Sequence, residues 1–333
     1  FEKADNINSD SLEKVLIRRK GCFSCPIRCK RVVKIKKENI SVDPALGGPE
    51  YETLVCLGSN LGIGNLDLVC KANELCNKYT LDTISFGMTV SFVMECFEKR
   101  ILTEKDTGGL DISFGNEDIL LPLIKMTAFK EGFGSKIALG SARLSREIGK
   151  ESEKLLLQVK NQEIPAHDPR VKVGVGLQYA LSSHGADHWV AQHDQLYQEK
   201  DSIGLNSIEP LGITEPVPAK ELSSQKVKLF YKTHLMINMY DCLGVCVFGF
   251  VSRSIVSLDK LEDLVGNVTG WEVSLEELIK VGERASIMLR MFNVREGLTK
   301  KEDVLPEKFY KNFADGPLQG EGKICRDDFN DAL

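Results

Sequence analysis

Three cysteines fall within eight residues, Cys22-Phe-Ser-Cys25-Pro-Ile-Arg-Cys29, in a chain that shows no sign of being secreted. Three thiols at this C-x2-C-x3-C spacing face one centre only if the backbone wraps around it. A metal or an iron–sulfur cluster requires that; a hydrophobic core does not. A fourth ligand must come from elsewhere. The best candidate is Cys246, which closes Asp241-Cys-Leu-Gly-Val-Cys246 more than two hundred residues downstream. On spacing alone, a tetrahedral zinc site and an iron–sulfur cluster both satisfy such a ligand set.

The 333 residues are too many for one small core and suit two domains. A content of 42% hydrophobic and 27% charged residues is ordinary for a globular protein. The net charge is -5, with acidic and basic residues mixed except in Lys30-Arg-Val-Val-Lys-Ile-Lys-Lys37. A basic flank beside an anionic thiolate cluster is a more economical reading of that run than nucleic-acid binding. No apolar run reaches the roughly 18 residues of a membrane-spanning helix, and no signal peptide is visible. Ten cysteines in so long a chain, without secretion signals, favour a reduced cytoplasmic setting with metal ligation over disulfides. Cys56, Cys70, Cys76 and Cys96 lie in apolar helical surroundings and read as small core residues. Cys325 sits in a polar stretch and receives no role. The chain begins at Phe1, directly in polar sequence, from which missing upstream residues are expected.

The pattern predicts a short helix over residues 10–19, a hairpin within 31–43 and a loop over 44–49. Helical spacing then runs almost continuously from Leu66, with helices over 85–99, 119–129 and 135–148. Glu163-Ile-Pro-Ala-His-Asp-Pro-Arg170 breaks the pattern. The second half opens with the Gly-rich Val173-Gly-Val-Gly-Leu-Gln-Tyr-Ala180 and the His-rich Ser183-His-Gly-Ala-Asp-His-Trp189. A helix is expected over 224–240, and Ser274-Leu-Glu-Glu277 reads as a capping box starting another that runs to about Phe292. Strands are few. The expected fold is mainly α, in two helical domains, 1–160 and 161–333. One weak repeat links them: Asn77-Lys-Tyr-Thr-Leu-Asp82 and Asp241-Cys-Leu-Gly-Val-Cys246 both end a helical pattern. Two similar turns, one per domain, suit a pseudosymmetric ligand with two similar halves.

An ordered set of segments resembles the tungsten- and molybdenum-dependent aldehyde:ferredoxin oxidoreductase family. The set comprises Gly21-Cys-Phe-Ser-Cys-Pro-Ile-Arg-Cys29, Gly48-Pro-Glu-Tyr-Glu-Thr53, and Ala72-Asn-Glu-Leu-Cys-Asn77 through Leu81-Asp-Thr-Ile-Ser85. It continues with His167-Asp-Pro-Arg170, Gly174-Val-Gly-Leu-Gln-Tyr-Ala180 with Gly185-Ala-Asp-His188, and Tyr240-Asp-Cys-Leu-Gly-Val-Cys246. The resemblance covers the family's two mostly helical C-terminal domains. The N-terminal β-rich domain, which forms a floor under the cofactor, has no counterpart here, so this portion by itself is expected to be inactive.

The resemblance implies a [4Fe-4S] cluster held by Cys22, Cys25, Cys29 and Cys246, near one tungsten (or molybdenum) between the dithiolenes of two pterins. Asp241, Gly244 and Cys246 match the family's pterin motif D-x-x-G-L-C/D, with Val245 for Leu. In the first copy Asn77 replaces the Asp and Thr80 the Gly, while Leu81 and Asp82 remain. Asn77 keeps an acceptor oxygen; taken alone it reads equally as part of a capped helix end. Glu52 matches the acid near the metal, with Glu50 the alternative, and His188 matches the histidine after Gly-Ala-Asp. A carboxylate there would activate water or take a proton, and a histidine would polarise the carbonyl oxygen. Without the family match, Glu52 would read as a surface or loop-capping acid. His184, His193 and His234 receive no role; many relatives carry Arg in place of His184.

The implied activity is oxidation of a small-molecule aldehyde to a carboxylic acid, with electrons passing through the cluster to ferredoxin. Neither nucleic acid nor membrane is expected as a partner, and a homo-oligomer is compatible. Two alternatives stay open: a related subunit of the aromatic acyl-thioester reductase type, and an iron–sulfur electron-transfer or scaffold module without its own active site.

Overall fold

Apolar residues recur at helical spacing through most of the chain. The computed structural model, which describes residues 1–250 and 256–333, is accordingly mainly α. Its packing divides into two units, Phe1–Ala166 and His167–Leu333.

In the first unit the helices Leu66–Tyr79, Thr83–Glu98 and Leu120–Phe129 bury Val69, Ala72, Val90, Val93, Leu123 and Ile124 completely. The first two start on side-chain caps: Asn65 accepts from Leu68 N–H at 3.2 Å and Asp82 from Ser85 N–H at 2.7 Å. Helix Tyr51–Leu57 packs on Thr83–Glu98 at Gly87, where a Cβ would stand 2.4 Å from the Cys56 carbonyl oxygen. Cys56, Cys70, Cys76 and Cys96 are fully buried, the core role expected of them. Burial pushes the thiols of Cys70, Cys76 and Cys96 up to about 12, so they stay protonated and inert.

Two expected elements differ. The helix expected over 10–19 is only Ser9–Glu13, and Leu16–Lys20 is a strand paired antiparallel with Lys30–Val33. Its partner is met only after the chain returns, so local spacing could not reveal it. The helix expected over 135–148 is two, Gly134–Ile137 and Ser141–Ile148, separated where Gly140 takes φ +77°. Within 31–43, Ile35–Lys36 and Ser41–Val42 form the expected hairpin.

In the second unit Ser224–Leu243 and Leu275–Arg295 pack closely, because a Cβ at Gly282 would meet the Leu235 carbonyl oxygen at 2.1 Å. The Ser274/Glu277 capping box is formed. The Gly-rich segment is a buried helix, Val173–Leu181. Its first turn is held by Asp194, which accepts Gly174 N–H at 3.2 Å and pairs with the buried Lys226. Among the described residues no helix is long and apolar enough to cross a membrane.

Candidate functional site

The Lys20–Lys30 pair closes the strand hairpin, and Cys22, Cys25 and Cys29 all lie in the loop beyond it. Cys25 N–H donates to Cys22 O at 3.1 Å, and left-handed Ser24 and Arg28 (φ 55° and 49°) fold the loop back. Cys22 is exposed, Cys25 and Cys29 half-buried, and all three thiols are free. Arg18, Arg19, Lys20 and Arg28 wall a cavity of about 370 Å³ beside Cys22 and Cys25. A basic wall of this kind is electrostatically complementary to an anion. Three free cysteine sulfurs on one loop are a donor set that suits an iron–sulfur cluster or zinc alike. Cys246 belongs to the second unit and is exposed.

Both segments of the weak sequence repeat end in one common helix closure, which the chain also uses at Arg100, Lys130 and Gly297. Helix Leu66–Tyr79 ends on Thr80 (φ 59°), whose N–H reaches Asn77 O at 3.4 Å, while Leu81 N–H reaches Cys76 O at 2.9 Å. Helix Ser224–Leu243 ends on Gly244 (φ 67°) with the same two bonds, to Asp241 O at 3.1 Å and from Val245 to Tyr240 O at 3.0 Å. Both are Schellman-type closures, and Thr80 holds a conformation that suits the glycine of the second copy. Asn77 donates its amide to Leu46 O at 3.3 Å. Asp82 lines a cavity of about 270 Å³ with Ser85, Arg143 and Glu163.

Glu50 and Glu52 differ in surroundings. Glu50 precedes helix Tyr51–Leu57, is exposed, and pairs with Arg31. Glu52 is half-buried in the first turn and accepts Ala166 N–H on Oε2 at 2.7 Å. The Thr53 and Thr83 hydroxyls, 2.9 Å apart, tie together the helix starts that carry Glu52 and Asp82. Burial, then the charges of Glu52 and Asp82, push the Cys56 thiol far up.

In the second unit His188 is one of three histidines, with His167 and His193, that bring ring nitrogens within 4.8 Å of one another. The buried Lys172 ammonium donates to His167 Nδ1 at 2.5 Å and to His193 Nδ1 at 3.4 Å. His193 Nε2–H donates to His188 O at 3.0 Å. Burial, with Lys172, His167 and His188 adding to it, lowers His193 to about 3. A separate cavity of about 640 Å³ in this unit is lined by Asp241, Asn238, His234, His184, Asp187 and Trp189. Burial works against ionising Asp187, but hydrogen bonds from His184 (2.8 Å) and Trp189 N–H (2.7 Å) outweigh it and hold its carboxyl low. Partial burial and the Asp187 charge push Asp241 up, against the pull of His184. His234 Nδ1–H donates to Val190 O at 2.7 Å, so Nε2 accepts from the Ser286 hydroxyl at 2.9 Å.

Sequence reasoning missed Lys172 and His193. The signal available was one lysine alone in the apolar run Val171-Lys-Val-Gly-Val175.

The whole chain, residues 1–333, matches the family model described as aldehyde ferredoxin oxidoreductase, domains 2 and 3. It is 34% identical over 315 residues to a tungsten-containing aldehyde ferredoxin oxidoreductase of Pyrococcus horikoshii, covering 92% of this chain and 48% of that protein. It is 24% identical over 315 residues to an aliphatic sulfonate oxidoreductase, WOR-like subunit, of Pyrococcus furiosus, covering 90% of this chain and 44% of that protein. The fold is similar to a chain of the BamBC active-site complex of benzoyl coenzyme A reductase, solved with 1,5-dienoyl-CoA. That likeness has a TM-score of 0.71 at 20% identity, over 89% of this chain and 47% of the other. The chain thus spans about half the length of the relatives it matches.

Proposed function

The chain belongs to the aldehyde ferredoxin oxidoreductase family, and from that premise we propose that its full-length protein oxidises aldehydes to carboxylic acids at a bis-pterin tungsten (or molybdenum) centre. Electrons leave through a [4Fe-4S] cluster to ferredoxin, in the cytoplasm. Cys22, Cys25, Cys29 and Cys246 hold the cluster. Asp241 and Gly244 bind one pterin, and Asn77 and Asp82 the other. The observation that carries this reading is Asp241, which lines a cavity of about 640 Å³ where helix Ser224–Leu243 ends on the left-handed Gly244. The Asp241 carboxylate accepts ring N–H groups, and at Gly244 a Cβ would have nothing within 4 Å, which leaves the turn open to close approach.

Aldehyde, water and two electrons' worth of oxidation give the acid and two protons. When bound, the tungsten–pterin centre and cluster supply the electron acceptor. Glu52 takes a proton from the water, and His188 donates a hydrogen bond to the aldehyde oxygen. Glu50, exposed and paired with Arg31, is the weaker candidate for the base. Because the chain spans about half of its relatives, this activity is proposed for the full-length protein rather than for this portion alone.

A second reading, a related tungsten subunit acting on another substrate, draws on the relative named as a WOR-like subunit. Metal analysis of the anaerobically purified full-length protein comes first. Tungsten or molybdenum with about four iron per chain fits either enzyme reading. Iron alone would leave an electron-transfer or scaffold module, and zinc alone would sink the proposal. Aldehyde turnover then separates the enzyme readings. Metal-replete Glu52→Gln should lose a hundredfold or more in roughly the usual range for acid–base groups, while Glu50→Gln stays near wild type. The reverse pattern would move the role to Glu50.

A further inference from the structure

The three ring nitrogens of His167, His188 and His193 would ordinarily suggest a metal site. The hydrogen bonds around them argue otherwise. A carbonyl oxygen only accepts, so the 3.0 Å contact to His188 O fixes the proton of His193 on Nε2. Its Nδ1 is then a lone pair, which Lys172 Nζ meets at 3.4 Å. Lys172 meets His167 Nδ1 at 2.5 Å as well, so the ammonium stands against ring nitrogens of both histidines. The position a metal would take between these two nitrogens already holds an ammonium. Lys172 is 7% exposed, and these acceptors offset part of the cost of burying its charge.

The nest also fixes backbone. His193 Nε2–H grips the His188 carbonyl, and Tyr179 O–H donates to the His167 carbonyl at 2.8 Å. His188 therefore sits on a peptide anchored through His193, whose Nδ1 faces Lys172.

We propose that Lys172 is the positioning residue for His188, acting as the resident cation of the histidine nest in place of a metal and locking His193 as the neutral Nε2–H donor to the His188 carbonyl. This rests on the reading of His188 as the group that polarises the aldehyde oxygen. Lys172 touches neither substrate nor cofactor; it acts through His193. The charged and titratable groups facing His193 are Lys172, His167 and His188. The neighbouring carboxylate, Asp194, is committed to Lys226 and Gly174 N–H. With Lys172 gone, the His193 Nδ1 lone pair loses its donor, so the ring can take up a proton there or shift to the Nδ1–H tautomer, which releases the His188 carbonyl.

The test uses the full-length protein with 15N-labelled histidine and compares wild type, Lys172→Met and Lys172→Arg. In wild type, His193 should show the neutral Nε2–H pattern throughout the range from about pH 5 to 8, and Lys172→Met should bring a histidine titration into that range. Metal-replete Lys172→Met should lose about tenfold to a hundredfold in kcat and gain a new ionisation on the acid limb of its pH profile. Lys172→Arg, which keeps a cation, should keep the wild-type profile. A wild-type His193 that titrates near its ordinary value, or a Lys172→Met enzyme with wild-type kcat and pH profile, would overturn the assignment. The spectroscopic arm needs no turnover. A wild-type protein that oxidises no aldehyde would therefore count against the functional reading, while the His193 tautomer still decides the role of Lys172.

Discussion

Replacing Lys226 by methionine removes the counter-ion of a carboxylate that has almost no access to water. The side chains of Lys226 and Asp194 are 1% and 2% exposed. Asp194 Oδ1 takes the ammonium and Gly174 N–H, and Oδ2 is buried with no hydrogen-bond partner among the described residues. Without Lys226 the carboxylate is left buried with one backbone donor, which costs about 3–5 kcal/mol. A body the size of the unit His167–Leu333 changes its melting temperature by about 2–4 °C per kcal/mol, so this transition should fall by roughly 6–20 °C. The double variant Lys226→Met/Asp194→Asn keeps an acceptor for Gly174 N–H and removes the stranded charge, so it should recover most of the loss. Calorimetry on the full-length protein, resolving the transitions of the two units, is the assay. The damage should reach the site as well. Asp194 directly follows His193 and holds the first turn of Val173–Leu181, where a Cβ at Gly174 would come 2.7 Å from Asp194 Oδ1. If Lys226→Met melts within about 3 °C of wild type, or if the double variant is no better than the single, the buried-pair argument is wrong.

Cys246→Ala should remove iron and the broad visible absorbance of the cluster as completely as Cys25→Ala; intact iron content in the Cys246 variant would exclude it as the fourth ligand. Asp241→Ala should lower tungsten or molybdenum while most iron stays, and Asn77→Ala should do so more mildly; equal loss of both metals from both variants would indicate misfolding. Thr80 holds a left-handed φ of 59° at the position Gly244 fills in the second turn. Thr80→Gly should therefore stabilise the first unit by about 1 kcal/mol, and a lower unfolding midpoint would show that the turn is not strained.

Most helices were legible because their signals are local. Capping residues and apolar spacing placed Leu66–Tyr79, Thr83–Glu98 and the Ser274 start within a few residues. The buried thiols of the first unit were legible for the same reason. The strand Leu16–Lys20 was not, because its pairing with Lys30–Val33 is set across the cysteine loop rather than by its own neighbours. Nor was the choice between Glu50 and Glu52, two residues apart in one segment. Folding places one against Arg31 in solvent and the other, half-buried, on the Ala166 N–H.

By itself the sequence determined which atoms are available: three thiols at loop spacing, two helix-end turns of one form, and a histidine after Gly-Ala-Asp. Only the tertiary structure decided what surrounds them. Four arginine and lysine side chains face the thiol loop, and a lysine five residues after His167 stands between two histidines separated by 26 positions. Charge and hydrogen-bond direction act through space over a few ångströms. Residues that share a site can therefore lie anywhere along the chain, and the order of residues records none of those distances.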